Sequence, residues 1–190
     1  FKPSDREQAR AALGLPSGTP LVLFASGSVQ DPRKGFAYLR EAVASLRARL
    51  PELGVVLVGK VPQGFDTTLA VPTHCLGQLS DKSKLVAAYT ASDALVVPSL
   101  EDNLPNTIME ALACGTPAVG FPTGGIPEMI DHRNNGYLTE EASAEALATG
   151  IEWVLRQGAT LGQNARLKVM NHYTQAKVVE RYATLYASLV

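Results

Sequence analysis

Hydrophobic positions along the chain follow two rhythms. LVLFASG (21–27), GVVLVGK (54–60), DALVVPS (93–99) and PAVGF (117–121) are apolar runs of strand length without alternation. Such runs belong to strands covered on both faces. HCLG (74–77) and GYL (136–138) read as two shorter strands. Between the first two runs the spacing changes. Phe36, Leu39, Val43, Leu46 and Leu50 recur at steps of three and four, the mark of an amphipathic helix. Ser80 is placed to cap a helix carrying Leu85, Val86 and Tyr89. Further helices are predicted over 5–13, 105–114, 143–157, 159–171 and 174–189, with a short one after PTGGIPE. Gly14 and Pro16 close the first of them. Strands alternating with helices imply right-handed crossovers and a parallel sheet. The expected fold class is therefore α/β, a doubly wound, Rossmann-like parallel sheet over 20–157. A linker and short helix (1–19) precede it, and C-terminal helices (158–190) follow.

Composition narrows the function classes. With 46% hydrophobic and 18% charged residues, the 190-residue chain has the makings of a folded core. A net charge of −1 gives no electrostatic footprint for nucleic acid. Cys75 and Cys114 lie far apart in apolar contexts, so two buried free thiols and a reducing compartment, the cytoplasm, are expected. No apolar run approaches the ~18 residues of a membrane span. The chain opens on Phe1 rather than Met, which suggests a piece of a longer protein. The phosphate loop G-x-x-x-x-G-K-[ST], the dinucleotide motif G-x-G-x-x-G and the hydrolase elbow G-x-S-x-G are missing from the sequence. His74, His132 and His172 are too scattered for a metal pair, and no Asp-x-Asp occurs.

The chemistry gathers in the loops that follow the strands. Doubly wound sheets bind ligands beyond the carboxyl ends of their strands. The loop after the first strand offers Gly27, Ser28, Arg33 and Lys34. In SLEDNLPNTIMEALACGTPAV, Pro105 suits the first helical position, which leaves Leu104 as a cap without a side-chain acceptor. An uncapped helix N-terminus attracts anions, and Lys34 can add countercharge. A diphosphate fits such a site. Carboxylates beside it would face its uncharged ends, where they accept hydrogen bonds from vicinal hydroxyls. Glu110 lies about 5–6 Å along the axis from the amides of 106–107, roughly the step from a phosphate to a ribose. Asp102 then faces whatever the outer phosphate carries. Two hydroxyl-bearing ends around a diphosphate describe a nucleotide sugar. Structural alternatives stand beside this reading. Thr107-x-x-Glu110 also spells a capping box. Asp102-Asn103 also suits a plain turn, Lys34 a solvated charge, and GGIPE (124–128) a loop and helix start.

VVPSLEDNLPNTIMEALACGTPAVGFPTGGIPEMI resembles the signature of the GT-B retaining glycosyltransferases of family 4, also called glycosyltransferase group 1. That signature is an acid, seven residues and Glu, then EAxACGTPVV and GGxPE. DPRKGF (31–36) resembles the family's Lys-Gly loop, and HCLGQLSDKSKLVAAYTASDALVVPS its base-binding turn and following strand. The resemblance implies one half of a GT-B fold, the half that binds the donor, facing an N-terminal acceptor domain across a cleft. It implies ribose hydroxyls on Glu110 and donor-sugar hydroxyls on Asp102. It places phosphate or sugar at the backbone of Leu104, Asn106 and Thr107, the diphosphate on Lys34, and the base at Leu76-Gly77-Gln78. Gly27, Ser28, Arg33 and Asn103 complete the implied donor-binding set, with Lys34, Asp102 and Glu110 as the catalytic group. The first acid is Asp where the family usually has Glu. Ser28-Val29 stand where members often carry Arg, with Arg33 as the substitute. The implied substrate is a nucleoside-diphosphate sugar of UDP or GDP rather than ADP type, with no metal or other cofactor. EDNLPNT is similar to enzymes that build surface polysaccharides; membrane contact, at the inner membrane, would come through the acceptor half. The fragment alone is expected to bind nucleotide and transfer little sugar. A non-catalytic nucleotide-binding or regulatory module of the same fold, or another GT-B enzyme, are the rivals. The stripe Val178, Val179, Tyr182, Leu185 and Tyr186 packs either on the acceptor half or on its own domain.

Overall fold

Continuous apolar runs become the middle of a six-stranded sheet in the computed structural model, which describes residues 1–189. The strands are β1 (Leu21–Ser28), β2 (Gly54–Lys60), β3 (Thr73–Gly77), β4 (Ala94–Val97), β5 (Ala118–Gly120) and β6 (Gly136–Leu138). Their order is β3-β2-β1-β4-β5-β6, and every neighbouring pair is parallel. The order reverses between β1 and β4, so loops leaving those two strands diverge and open a crevice. The helices are α1 (Arg6–Ala12), α2 (Phe36–Leu46), α3 (Lys82–Ala91), α4 (Asn106–Ala113), α5 (Ile126–Met129), α6 (Ala144–Leu155), α7 (Ala159–His172) and α8 (Gln175–Ala187).

The absence of alternation in β1 has a direct cause. Val22 and Phe24 pack into one core with Leu39 and Val43 of α2 and Leu147 and Ile151 of α6. Leu21 and Leu23 point into a second core with Tyr89 of α3, Ile108 and Leu112 of α4 and Ala165 of α7. Each such buried Leu or Ile contributes roughly 1.5–3 kcal/mol of transfer free energy, and both faces of the strand require it.

Three expectations need correcting, and one of the two alternatives left open for the α8 stripe is not seen. β3 is an edge strand covered incompletely, so Cys75 is exposed and only Cys114 is buried. Ser80 does not cap α3; Asp81 does, its carboxylate accepting from the Ser83 amide at 2.8 Å. A carboxylate one residue on displaces the hydroxyl because it is the stronger partner for the positive helix end. Pro105 is the N-cap of α4 rather than its first residue, with Asn106 taking that place. The stripe on α8 does not pack on its own domain: no α8 side chain is buried, and Tyr182, Leu185 and Tyr186 are all more than half exposed.

Candidate functional site

At the carboxyl edge, the ends of β1 and β4 and the first turn of α4 enclose a cavity of about 280 Å³. Its polar lining comes from Ser26, Lys34, Ser99, Asp102, Asn106 and Thr107, with Gly27 and Leu104 at its border. Lys34 closes a short helical turn whose cap, Gly35, has φ 72°. A Cβ on Gly35 would lie 1.9 Å from the Pro98 carbonyl oxygen, so glycine alone lets the β1 loop sit against the end of β4. The Leu100 amide also donates to the Arg33 carbonyl at 2.7 Å, joining the two loops.

This approach sets Lys34 Nζ 2.6 Å from Asp102 Oδ2, with Ser99 Oγ donating to the same oxygen at 3.3 Å. The pair is only partly exposed, 29% for the lysine side chain and 13% for the aspartate. Asp102 and Lys34 thus meet inside one cavity, the lysine expected on the diphosphate and the aspartate on the group joined to its outer phosphate. The loop bearing Asp102 is held from behind. The Gly125 amide donates to the Asn103 carbonyl at 2.7 Å. Gly124 has φ +53°, and a Cβ there would sit 1.7 Å from the Asp102 carbonyl oxygen. GGIPE is therefore the back wall of the acidic loop.

The start of α4 has neither a side-chain cap nor an acid in its first turn among the described residues. Its positive end faces the cavity through Asn106 and Thr107. The capping box does not form. Glu110 Oε2 instead accepts from the Tyr89 hydroxyl at 2.8 Å. Tyr89 is fully buried, and its phenol is pushed well above its usual pKa, first by burial and then by the Glu110 charge and hydrogen bond. Glu110 is half-buried and sits apart from the cavity lining, one helical turn further along α4.

Other expected residues also lie outside this lining. Arg33 is turned to its own loop, pairing with Asp31 at 2.8 Å. That bond holds the Asp31 carboxyl below its usual range and raises the guanidinium. Arg33 is therefore no free phosphate ligand here. Ser28 ends β1, and exposed Asn103 contributes its carbonyl to Gly125. Leu76 packs partly on the second core, and Gly77 adopts φ 67° at the end of β3 before Gln78. Sequence reasoning missed Ser26, Ser99 and Tyr89. Ser26 Oγ is shielded from solvent without a hydrogen-bond partner among the described residues. The signal was present in LVLFASG and VVPS: a serine at the carboxyl end of a buried strand. Among the described residues no group of three His, Cys, Asp or Glu side chains could hold a metal.

A doubly wound parallel sheet with Lys34 and an open helix end beside its switch point has the arrangement in which open α/β sheets bind their ligands. The family model of Glycosyl transferases group 1 matches residues 19–157, and the chain belongs to that family. It is similar to the D-inositol 3-phosphate glycosyltransferase of Mycolicibacterium gilvum, 30% identical over all of this chain and 44% of that protein. The N-acetyl-alpha-D-glucosaminyl L-malate synthase of Bacillus anthracis is 28% identical over 96% of this chain and 49% of its own length. Among solved structures, sucrose-phosphate synthase from Thermosynechococcus elongatus superimposes with a TM-score of 0.80 and 28% identity, over all of this chain and 49% of that one. Anabaena Alr3699/HepE, solved with UDP and glucose, shares the fold with a TM-score of 0.81 at 24% identity, over 99% of this chain and 53% of that one. The chain thus spans about half the length of the relatives it matches, as one half of a GT-B fold.

Proposed function

We propose that the chain is the donor-binding half of a retaining glycosyltransferase, which takes a nucleoside-diphosphate sugar and acts with an acceptor-binding domain across a cleft. The observation that carries this reading is the union of Lys34, Asp102 and the uncapped start of α4 around one cavity at the switch point. On this reading the donor diphosphate displaces Lys34 from Asp102 and takes the ammonium and the Asn106 and Thr107 amides as its partners. Asp102, released, accepts from hydroxyls of the sugar. As the glycosidic bond breaks, negative charge grows on the leaving diphosphate, and these preorganised donors stabilise it. Glu110 would exchange the Tyr89 hydroxyl for ribose hydroxyls. The nucleotide is of UDP or GDP type, and no metal is needed for these steps. EDNLPNT supports a product in surface polysaccharide or glycolipid synthesis, made on the cytoplasmic side. Any membrane contact is assigned to the acceptor half; among the described residues no helix is long and apolar enough to cross a membrane.

Calorimetry with UDP, GDP, ADP and their sugars tests the reading. Lys34→Ala should weaken nucleoside diphosphate by roughly 10- to 100-fold, the value of one hydrogen bond to a charged group. Asp102→Ala frees Lys34 from its ion pair, so it should leave nucleoside diphosphate binding undiminished or tighter and weaken only the sugar-bearing donor. Lack of binding by any nucleotide, or equal losses for both ligands in Asp102→Ala, would contradict it. The Tyr89 bond favours a second, structural role for Glu110. Unchanged nucleotide affinity with a lowered melting point in Glu110→Ala would assign it that role alone.

A further inference from the structure

In the steps proposed above, Asp102 loses Lys34 to the diphosphate. A carboxylate left without a partner in a half-covered cavity has no fixed direction in which to meet sugar hydroxyls. The same cavity supplies a second partner. Ser99 lines it, is 1% exposed, and donates its hydroxyl to Asp102 Oδ2 at 3.3 Å. We infer that Ser99 is a positioning residue for the donor sugar: its hydroxyl holds Oδ2 of Asp102 and leaves Oδ1 directed at the sugar. This inference rests on the donor reading and adds to it the group that orients the acid.

The backbone around Ser99 is fixed on both sides. Ser99 lies two residues past the end of β4. On one side, a Cβ on Gly35 would lie 1.9 Å from the Pro98 carbonyl oxygen, so the β1 loop rests directly against residue 98. On the other side, the Leu100 amide donates to the Arg33 carbonyl at 2.7 Å. Ser99 is therefore held at the end of the sheet. The Lys34 side chain, 29% exposed, can swing away while the serine stays in place.

The division of labour between the two donors follows from their chemistry. Lys34 Nζ and Ser99 Oγ meet the same oxygen, and Oδ1 has no partner among the described residues. An ammonium cancels the charge of the carboxylate it binds. A hydroxyl gives one neutral hydrogen bond and leaves the charge intact. With Ser99 alone on Oδ2, Asp102 stays a strong acceptor, and its free oxygen accepts from hydroxyls in a fixed direction. Preorganisation of this kind lowers the ordering cost that binding would otherwise carry.

The experiment is calorimetry with UDP-glucose against UDP, and with GDP-mannose against GDP. It compares the parent chain with Ser99→Ala, Asp102→Ala and the double variant. Ser99→Ala should weaken the sugar-bearing donor roughly tenfold, the low end for a hydrogen bond to a charged group, and leave the bare nucleoside diphosphate unchanged. In the Asp102→Ala background the same substitution should cost no further donor affinity, because a positioning residue acts only through the group it holds. Ser99→Cys keeps a weak donor in the same place and should fall between parent and alanine; it is the second arm should Ser99→Ala unfold the end of β4. A serine that serves packing alone would lower the melting temperature and weaken both ligands alike. That result, full donor affinity in Ser99→Ala, or a loss that persists in the Asp102→Ala background would overturn the inference while leaving the donor reading intact. Failure of the donor reading looks different: the parent chain itself would bind no nucleotide, and the role of Ser99 would fall with it.

Discussion

Tyr89 and Glu110 show what single residues can carry. The Tyr89 ring is buried against the second core, and its hydroxyl is held on a carboxylate that keeps access to water. Tyr89→Phe removes one donor and leaves Glu110 free to rehydrate, so the cost should be modest, about 1 kcal/mol, measurable by urea unfolding. The capping-box pattern in Thr107-x-x-Glu110 was legible, but a phenol 21 positions away in sequence won the carboxylate. Sequence spacing sees only local rivals for a side chain. The cysteines give a second case. Burial raises the Cys114 thiol to about 11 from a usual 9, while Cys75 lies open on the edge strand. A thiol reagent at neutral pH should modify one cysteine quickly and the second only on unfolding; two fast equivalents would refute the burial of Cys114. The sign for stability follows from linkage. In alkali the unfolded thiol loses its proton before the folded one, so this group's contribution is intact below about pH 9 and falls as pH rises towards 11.

At the scale of elements, the four continuous apolar runs became β1, β2, β4 and β5, because strands covered on both faces are apolar throughout, while HCLG and GYL became the shorter β3 and β6. β2 and β6 appear with the expected ends. Caps were less legible. Ser80 and Asp81 are neighbouring acceptors, and pattern alone cannot decide between them. Pro105 has a φ suited to either the cap or the first helical position. The back wall made by Gly124 and Gly125 was legible only as a turn, since its purpose depends on the loop at 102–103, which lies 22 residues away. That wall yields a sharp expectation. At φ +53° an alanine is disfavoured by itself by about 1 kcal/mol, and its Cβ would collide with the Asp102 carbonyl. Gly124→Ala should therefore lower stability by more than that intrinsic amount and displace Asp102 from Lys34. Denaturation together with donor-sugar affinity would check both effects; a variant with full stability and affinity would mean the loop is not braced there.

For the whole molecule, the sheet and its flanking helices close on themselves while α8 does not. Its contacts run to α7, with Arg181 reaching the His172 ring, and its buried area is small enough that no side chain is lost from solvent. The stripe was visible in the sequence as helical spacing, yet spacing reports only that a face is apolar, never what covers it. Leu167 and Met170 of α7 are also about half exposed. On the proposed reading this surface belongs to the acceptor half, since the relatives are about twice as long as this chain. Stability should then be nearly independent of α8. Removing 175–190 should shift the melting temperature by no more than a few degrees, since about 1 kcal/mol moves a domain of this size by ~2–4 °C. The same truncation should reduce binding of a hydrophobic dye and any self-association seen in sedimentation, because it deletes Val179, Tyr182, Leu185 and Tyr186 together. Global unfolding on truncation would show that α8 serves the fold of this half itself, and the apolar stripe would then need an explanation within the chain.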